Sequence, residues 1–167
     1  MLLYDFTEER KANYKQISGK YCIIYSYDIN MNDIETVQAI QQYAKDKGLK
    51  IYSVGYYHKW CDKNISLSPL ELFAYFENAE CVFTDTFHGT VLSLVCNTQF
   101  VTKISGNGNK LGFLLNQYGV ADRRAETFSE ITEITSKKID YEVVNSRIEE
   151  IRKQSLDYLK TAIGGNA

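Results

Sequence analysis

Thr84-Asp85-Thr86-Phe87-His88-Gly89-Thr90 separates two apolar runs, Cys-Val-Phe before it and Val-Leu-Ser-Leu-Val-Cys after it, and carries one of only two histidines in the 167-residue chain. These residue types suit an anion. The Thr/Asp end of the break closes a predicted strand and Gly89 opens a predicted helix. Amide N–H groups without helical partners, and the positive end of a helix dipole, then gather at one point. His88 adds a donor that can also carry a proton near neutral pH, and Gly89 omits a side chain where a ligand needs close backbone approach. A second reading needs no ligand: Asp85 or Thr86 caps the helix and His88 is a satisfied neighbour of the cap. The local sequence leaves both open.

The elements that would position this break follow from periodicity. YCIIYSYD (21–28) is a predicted strand, followed by Ile34, Val37, Ile40 and Ala44 at helical spacing and by Gly48 as a helix stop. LKIYSVGYY (49–57) is the next strand. Ser68-Pro69-Leu70-Glu71 then forms a capping box before a helix that buries Leu72, Phe73 and Phe76. CVFTDT (81–86), a short helix through VLSLVC, QFVTKIS (99–105) and a helix around 110–118 continue the rhythm. Val144, Ile148, Ile151, Leu159 and Ile163 mark one stripe of a long C-terminal helix lying across the sheet, ended by Gly164-Gly165. Such β–α alternation predicts a doubly wound, mainly parallel Rossmann-like α/β sheet with helices on both faces. In such a sheet ligands sit beyond the carboxyl ends of the strands, where the polar break falls.

Composition narrows the function classes. A formal net charge of −2 gives no broad basic field for nucleic acid, and no stretch approaches the ~20 apolar residues of a membrane span. Cys22, Cys61, Cys81 and Cys96 contain no C-x-x-C pair, and three lie in apolar segments, as expected of a reduced, cytoplasmic protein. Residues 1–20 do not fit the rhythm and are expected to be a connector remnant from a missing N-terminal half, with 21–167 forming one Rossmann-like domain.

A resemblance emerges from the longer pattern. Ser68-Pro69-x-Glu71, Phe76-x-Asn78-Ala79 and Val82-Phe83-Thr84-Asp85-Thr86-Phe87-His88-Gly89-Thr90 resemble the polysaccharide pyruvyl transferase family, as do Phe100-Val101, Asn109-Lys110-Leu111, Leu114-Leu115 and Tyr118-Gly119-Val120-Ala121-Asp122-Arg123. The resemblance covers about residues 2–124. It implies the C-terminal half of a two-domain enzyme of glycosyltransferase B-type architecture, which transfers pyruvate from phosphoenolpyruvate onto two sugar hydroxyls as a ketal. No cofactor and no metal are implied; the partners are phosphoenolpyruvate, a sugar or polysaccharide precursor and the missing N-terminal domain. The isolated domain is expected to be inactive. His88 takes the catalytic or donor-holding role of the family's His-Gly pair, with Asp85, Thr86, Gly89 and Thr90 around the donor.

One departure matters. Several members carry Arg-Leu-His-Gly where this chain has Thr86-Phe87-His88-Gly89, so a bidentate guanidinium is absent there. Lys110 and Arg123 are expected to compensate, with Lys103 a weaker candidate inside a strand. Against these roles stand a solvated first-turn Lys110 and an Arg123 paired with Asp122 or Asp85. Asp28, after the first strand, is a further polar candidate, and Tyr56 and Tyr57 offer stacking rings. His58-Lys59-Trp60-Cys61 lacks a second ligand pair and is expected to be a surface loop rather than a zinc site. Two alternatives remain: a non-catalytic anion-binding module, and a B-type glycosyltransferase domain using a nucleotide sugar.

Overall fold

A computed structural model describes the backbone of residues 4–26, 29–104 and 109–164. Six parallel strands, β1 (Tyr21–Tyr25), β2 (Lys50–Val54), β3 (Lys63–Ile65), β4 (Cys81–Thr84), β5 (Phe100–Lys103) and β6 (Arg124–Ala125), form one sheet in the order β3-β2-β1-β4-β5-β6. This is the predicted doubly wound parallel α/β fold.

All five residues of β1 are buried, as a central parallel strand covered on both faces requires. Their alternation divides the core. Tyr21, Ile23 and Tyr25 face one cluster, built with α3 (Glu71–Glu77), α4 (Phe87–Val95), α5 (Asn109–Gln117) and the start of α7 (Tyr141–Gly164). Cys22 and Ile24 face the other, under α2 (Ile34–Lys47) and α6 (Ile131–Ser136).

The predicted stops and caps explain the boundaries. Asp33 caps α2 by accepting from the Thr36 amide at 2.8 Å, and Gly48 ends it with φ 64°. Before α3, the Glu71 carboxylate accepts from the Ser68 amide at 2.9 Å while Ser68 Oγ accepts from the Glu71 amide at 3.4 Å, the reciprocal pair of a capping box.

Some features were not anticipated by the periodicity. The edge strand β3 was not predicted, because two of its three residues are exposed and no alternation marks it. Within residues 4–20, Thr7–Ala12 form α1, Phe6 and Ile17 pack on the core, and Arg10 bridges Glu77 and the Val95 carbonyl. In α7 the apolar stripe is buried at Val144 and Ile148 and half-buried at Ile151, whereas Leu159 and Ile163 are exposed, since the second half of the helix lies beyond the packed core. Among the described residues no helix is long and apolar enough to cross a membrane.

Candidate functional site at the β1–β4 switch point

Strand order reverses between β1 and β4, so the connections leaving them diverge to opposite faces and open a crevice at their carboxyl ends. Tyr25 and Thr84 are paired in register there, with Ser26 and Asp85 the next residue of each segment. The crevice is built from the segments that follow these two strands.

Threonine hydroxyls shape the turn from β4 into α4. Thr84 Oγ1 donates to the Tyr25 carbonyl at 2.6 Å and accepts from the Thr86 amide at 3.1 Å. Thr86, extended at φ −108°, ψ 149°, is the N-cap of α4, its Oγ1 accepting from the Gly89 amide at 2.9 Å. Thr90 Oγ1 donates to the Thr86 carbonyl at 3.0 Å and lies 2.9 Å from Thr102 Oγ1 of β5. The capping reading is thus correct for Thr86. It does not extend to His88, which stands exposed on the first turn beside the half-exposed Phe87 ring.

The amides available to a ligand differ from those expected. Gly89 and Thr90 N–H are both bonded within the turn, to Thr86 Oγ1 and the Thr86 carbonyl, whereas Phe87 and His88 N–H have no partner among the described residues. Gly89 and Thr90 are buried and do not face the crevice. A Cβ on Gly89 would come within 2.9 Å of Thr84 Cβ and Tyr25 Cδ1 and closer still to Thr84 Oγ1. The missing Cβ lets α4 press onto the sheet.

Arg123 is also elsewhere. Its side chain is 1 % exposed, with Nε and Nη2 donating to Asp122 at 3.2 and 2.6 Å and Nη1 to the Lys137 carbonyl at 2.8 Å. Each nitrogen of the fork makes one of these bonds, so the buried side chain is directed at Asp122 and the Lys137 carbonyl. The Asp122 carboxyl is held below its ordinary value, chiefly by that arginine. Lys110 is exposed in the first turn of α5. Lys103 ends β5, where its Nζ meets Asp33 Oδ2 and Thr36 Oγ1, each at 3.2 Å, so its charge serves the start of α2. Asp85 is partly buried just after β4, and Asp28 lies outside the described residues.

His58 is the residue that sequence reasoning misplaced. It is fully buried rather than on a surface loop. Asn64 grips its main chain from β3, accepting from the His58 amide at 2.7 Å and donating to its carbonyl at 3.1 Å. Its Nδ1 lies 3.1 Å from Asn32 Oδ1, which also accepts from Trp60 Nε1 at 2.9 Å. Burial holds the ring's pKa below the ordinary value, against the opposing pull of the Ser26 main chain and the Asp85 carboxylate. The sequence signal was slight, because partners 26 and 6 residues away are joined only by the fold.

Comparison with known proteins agrees with this architecture. The family model "Polysaccharide pyruvyl transferase" matches residues 3–105. None of the curated proteins compared with the chain matches it. Among solved structures, the chain is similar to the UDP-GlcNAc 2-epimerase of Methanocaldococcus jannaschii, solved with UDP-GlcNAc and UDP. That likeness has a TM-score of 0.54 and 13 % identity, and covers 78 % of this chain and 41 % of the other. A protein described as a UDP-N-acetylglucosamine 2-epimerase from Listeria monocytogenes gives a TM-score of 0.58 at 8 % identity, covering 95 % of this chain and 52 % of the other. The chain therefore spans about half or less of the length of these structures, and at such identities the likeness concerns the fold alone.

Proposed function

Since the chain belongs to the polysaccharide pyruvyl transferase family, we propose that the crevice at the β1–β4 switch point holds phosphoenolpyruvate for transfer of pyruvate, as a ketal, to a sugar. The observation that carries this reading is the exposed His88 on the first turn of α4, beside two N–H groups without a partner among the described residues. On this reading the chain is the donor half, and a second α/β half holds the acceptor.

The chemistry suits such a site. The methylene carbon of phosphoenolpyruvate gains a proton, which makes it a methyl group and builds positive charge at the neighbouring carbon. One sugar hydroxyl attacks that carbon and loses its proton; the C–O bond to phosphate then breaks, and a second hydroxyl closes the ketal, also losing a proton. One of those two protons replaces the one taken up by carbon, and the other leaves with phosphate. His88 acts as the proton donor or as a charged partner of the phosphate, and the Phe87 and His88 amides hold an anionic oxygen. Lys110 supplies a mobile positive charge from α5.

Isothermal titration with phosphoenolpyruvate tests the site. Binding that His88→Ala abolishes supports it; binding unaffected by that substitution, or preference for a nucleotide sugar, overturns it. One observation favours a second reading, an anion-binding module without catalysis. Thr86 stands where several members carry arginine, its hydroxyl is engaged in the cap, and Arg123 is bonded elsewhere. Release of phosphate with formation of a pyruvylated sugar, assayed with the acceptor half present, separates transferase from module.

A further inference from the structure

A cavity of about 250 Å³ lies between the segment that enters α1, the C-terminal end of α4 and the first half of α7. This is a little under the ~300 Å³ at which pockets for drug-sized ligands begin, and it suits a ligand of one ring. The helix α4 starts at the crevice and ends at this cavity. Its nine residues span about 13 Å, so the two places are separate.

The polar groups around the cavity divide into those already engaged and those left over. Arg10 donates from Nε to Glu77 and from Nη1 to the Val95 carbonyl at 2.5 Å. Arg152 donates from Nη1 to Glu149 at 2.5 Å and from Nη2 to the Tyr4 carbonyl at 3.4 Å. With Asp5 and Glu149 as the two carboxylates of the lining, the charges of the two arginines are balanced and the wall does not favour an anion. The carboxamides of Asn97 and Asn145 are left, and neither makes a hydrogen bond among the described residues. Each offers two donors and an acceptor, which matches hydroxyl groups that donate and accept in turn.

The aromatic side of the cavity is fixed in place. The Tyr4 and Phe6 rings meet edge to face with centroids 4.9 Å apart, Phe6 packs on Phe73 at 5.4 Å, and the Tyr4 hydroxyl donates to Glu9 Oε1 at 2.5 Å. Such rings suit the C–H face of a polyhydroxylated ring. Asn97 has φ 55°, so it also stops α4 in the left-handed region that asparagine tolerates. That role needs its backbone and leaves its amide unused. Asn145, Glu149 and Arg152 lie beyond the residues 3–105 that the family model matches, so the cavity is not built from that segment alone.

We propose that this cavity is a binding site for one neutral sugar ring, whose hydroxyls meet the Asn97 and Asn145 carboxamides and whose C–H face lies on Tyr4 and Phe6. The site stands apart from the donor crevice and does not depend on the reading given for it.

Amide NMR on the full chain tests the site. Glucose, galactose, mannose and N-acetylglucosamine are titrated separately, with inorganic phosphate as the charged probe. At least one sugar should shift the side-chain NH2 signals of Asn97 and Asn145 with a Kd on the order of 1 mM, as expected for a ligand of about a dozen heavy atoms. Asn145→Ala and Asn97→Gly should each weaken that binding about 10-fold. Glycine keeps the left-handed position at 97, so the urea midpoint should stay in place while the binding is lost. His88→Ala should leave the sugar response unchanged, and failure of phosphoenolpyruvate to bind the crevice leaves it unchanged as well. Absence of these NH2 shifts with every sugar, a stronger response to phosphate than to sugar, or full affinity in both asparagine variants overturns the proposal. Loss of the response in His88→Ala overturns it too, by placing the sugar in the crevice.

Discussion

Replacing Gly89 by alanine separates a packing role from a ligand role. The added Cβ would fall within 2.9 Å of Thr84 Cβ and Tyr25 Cδ1, and closer to Thr84 Oγ1, at a point where all three residues are buried. Neither neighbour can swing away. Thr84 is held by the 2.6 Å bond to the Tyr25 carbonyl and receives the Thr86 amide, and Tyr25 packs on Phe76. Overpacking of this kind costs about 1–3 kcal/mol, and loss of the Thr84 bond about 1 kcal/mol more. Alanine's better helix propensity returns at most about 1 kcal/mol. The net loss is about 2 kcal/mol, or about 4–8 °C in Tm for a chain of this size. Urea denaturation followed by circular dichroism measures it, with Gly112→Ala as the control. A Cβ at Gly112 meets nothing within 4 Å, so that variant should be neutral or slightly stabilised. Thr84→Ala removes the closest obstacle, so the double variant should be less destabilised than the sum of the two singles. A Gly89→Ala chain as stable as the parent, or strict additivity with Thr84→Ala, would refute the reasoning and return Gly89 to the ligand side of the argument.

Other expectations follow from the same geometry. Thr86→Ala should cost about 1 kcal/mol through loss of the α4 cap, while Thr86→Ser retains most of it, read from urea midpoints. His88→Ala should leave the unfolding midpoint within about 0.5 kcal/mol of the parent, because the ring is exposed and makes no hydrogen bond among the described residues; a larger loss would point to a structural role. The Asp122 carboxyl is depressed in the folded chain by Arg123. Its contribution is therefore complete above the ordinary value of 3.8 and is lost as pH falls through the lower folded value, so Asp122→Asn should flatten the acid limb of a stability–pH profile. Burial pushes the Cys81 and Cys96 thiols up to about 12, and Ellman's reagent at pH 8 should modify them only after denaturation. Fast native reaction at either would contradict their burial.

Local chemistry made much of this protein legible in its sequence. The Ser68–Glu71 capping box, the Gly48 stop and the apolar runs of β1, β2, β4 and β5 depend on neighbours a few residues apart, and each is where periodicity and cap residues place it. The β–α alternation carried the parallel sheet with them, since parallel strands need crossovers. The β4–α4 break was legible for the same reason. Long-range contacts decided the rest. Thr86 and Gly89 look like ligand residues until the Thr84 hydroxyl and the Tyr25 ring are brought against them, and Arg123 looks available until the Lys137 carbonyl arrives 14 residues later to complete its set of acceptors. His58 is buried only because Asn32 and Asn64 converge on it from 26 and 6 residues away. A residue's type states which bonds it can make; which of them are already taken is decided where distant segments meet, and that determines what is left for a ligand.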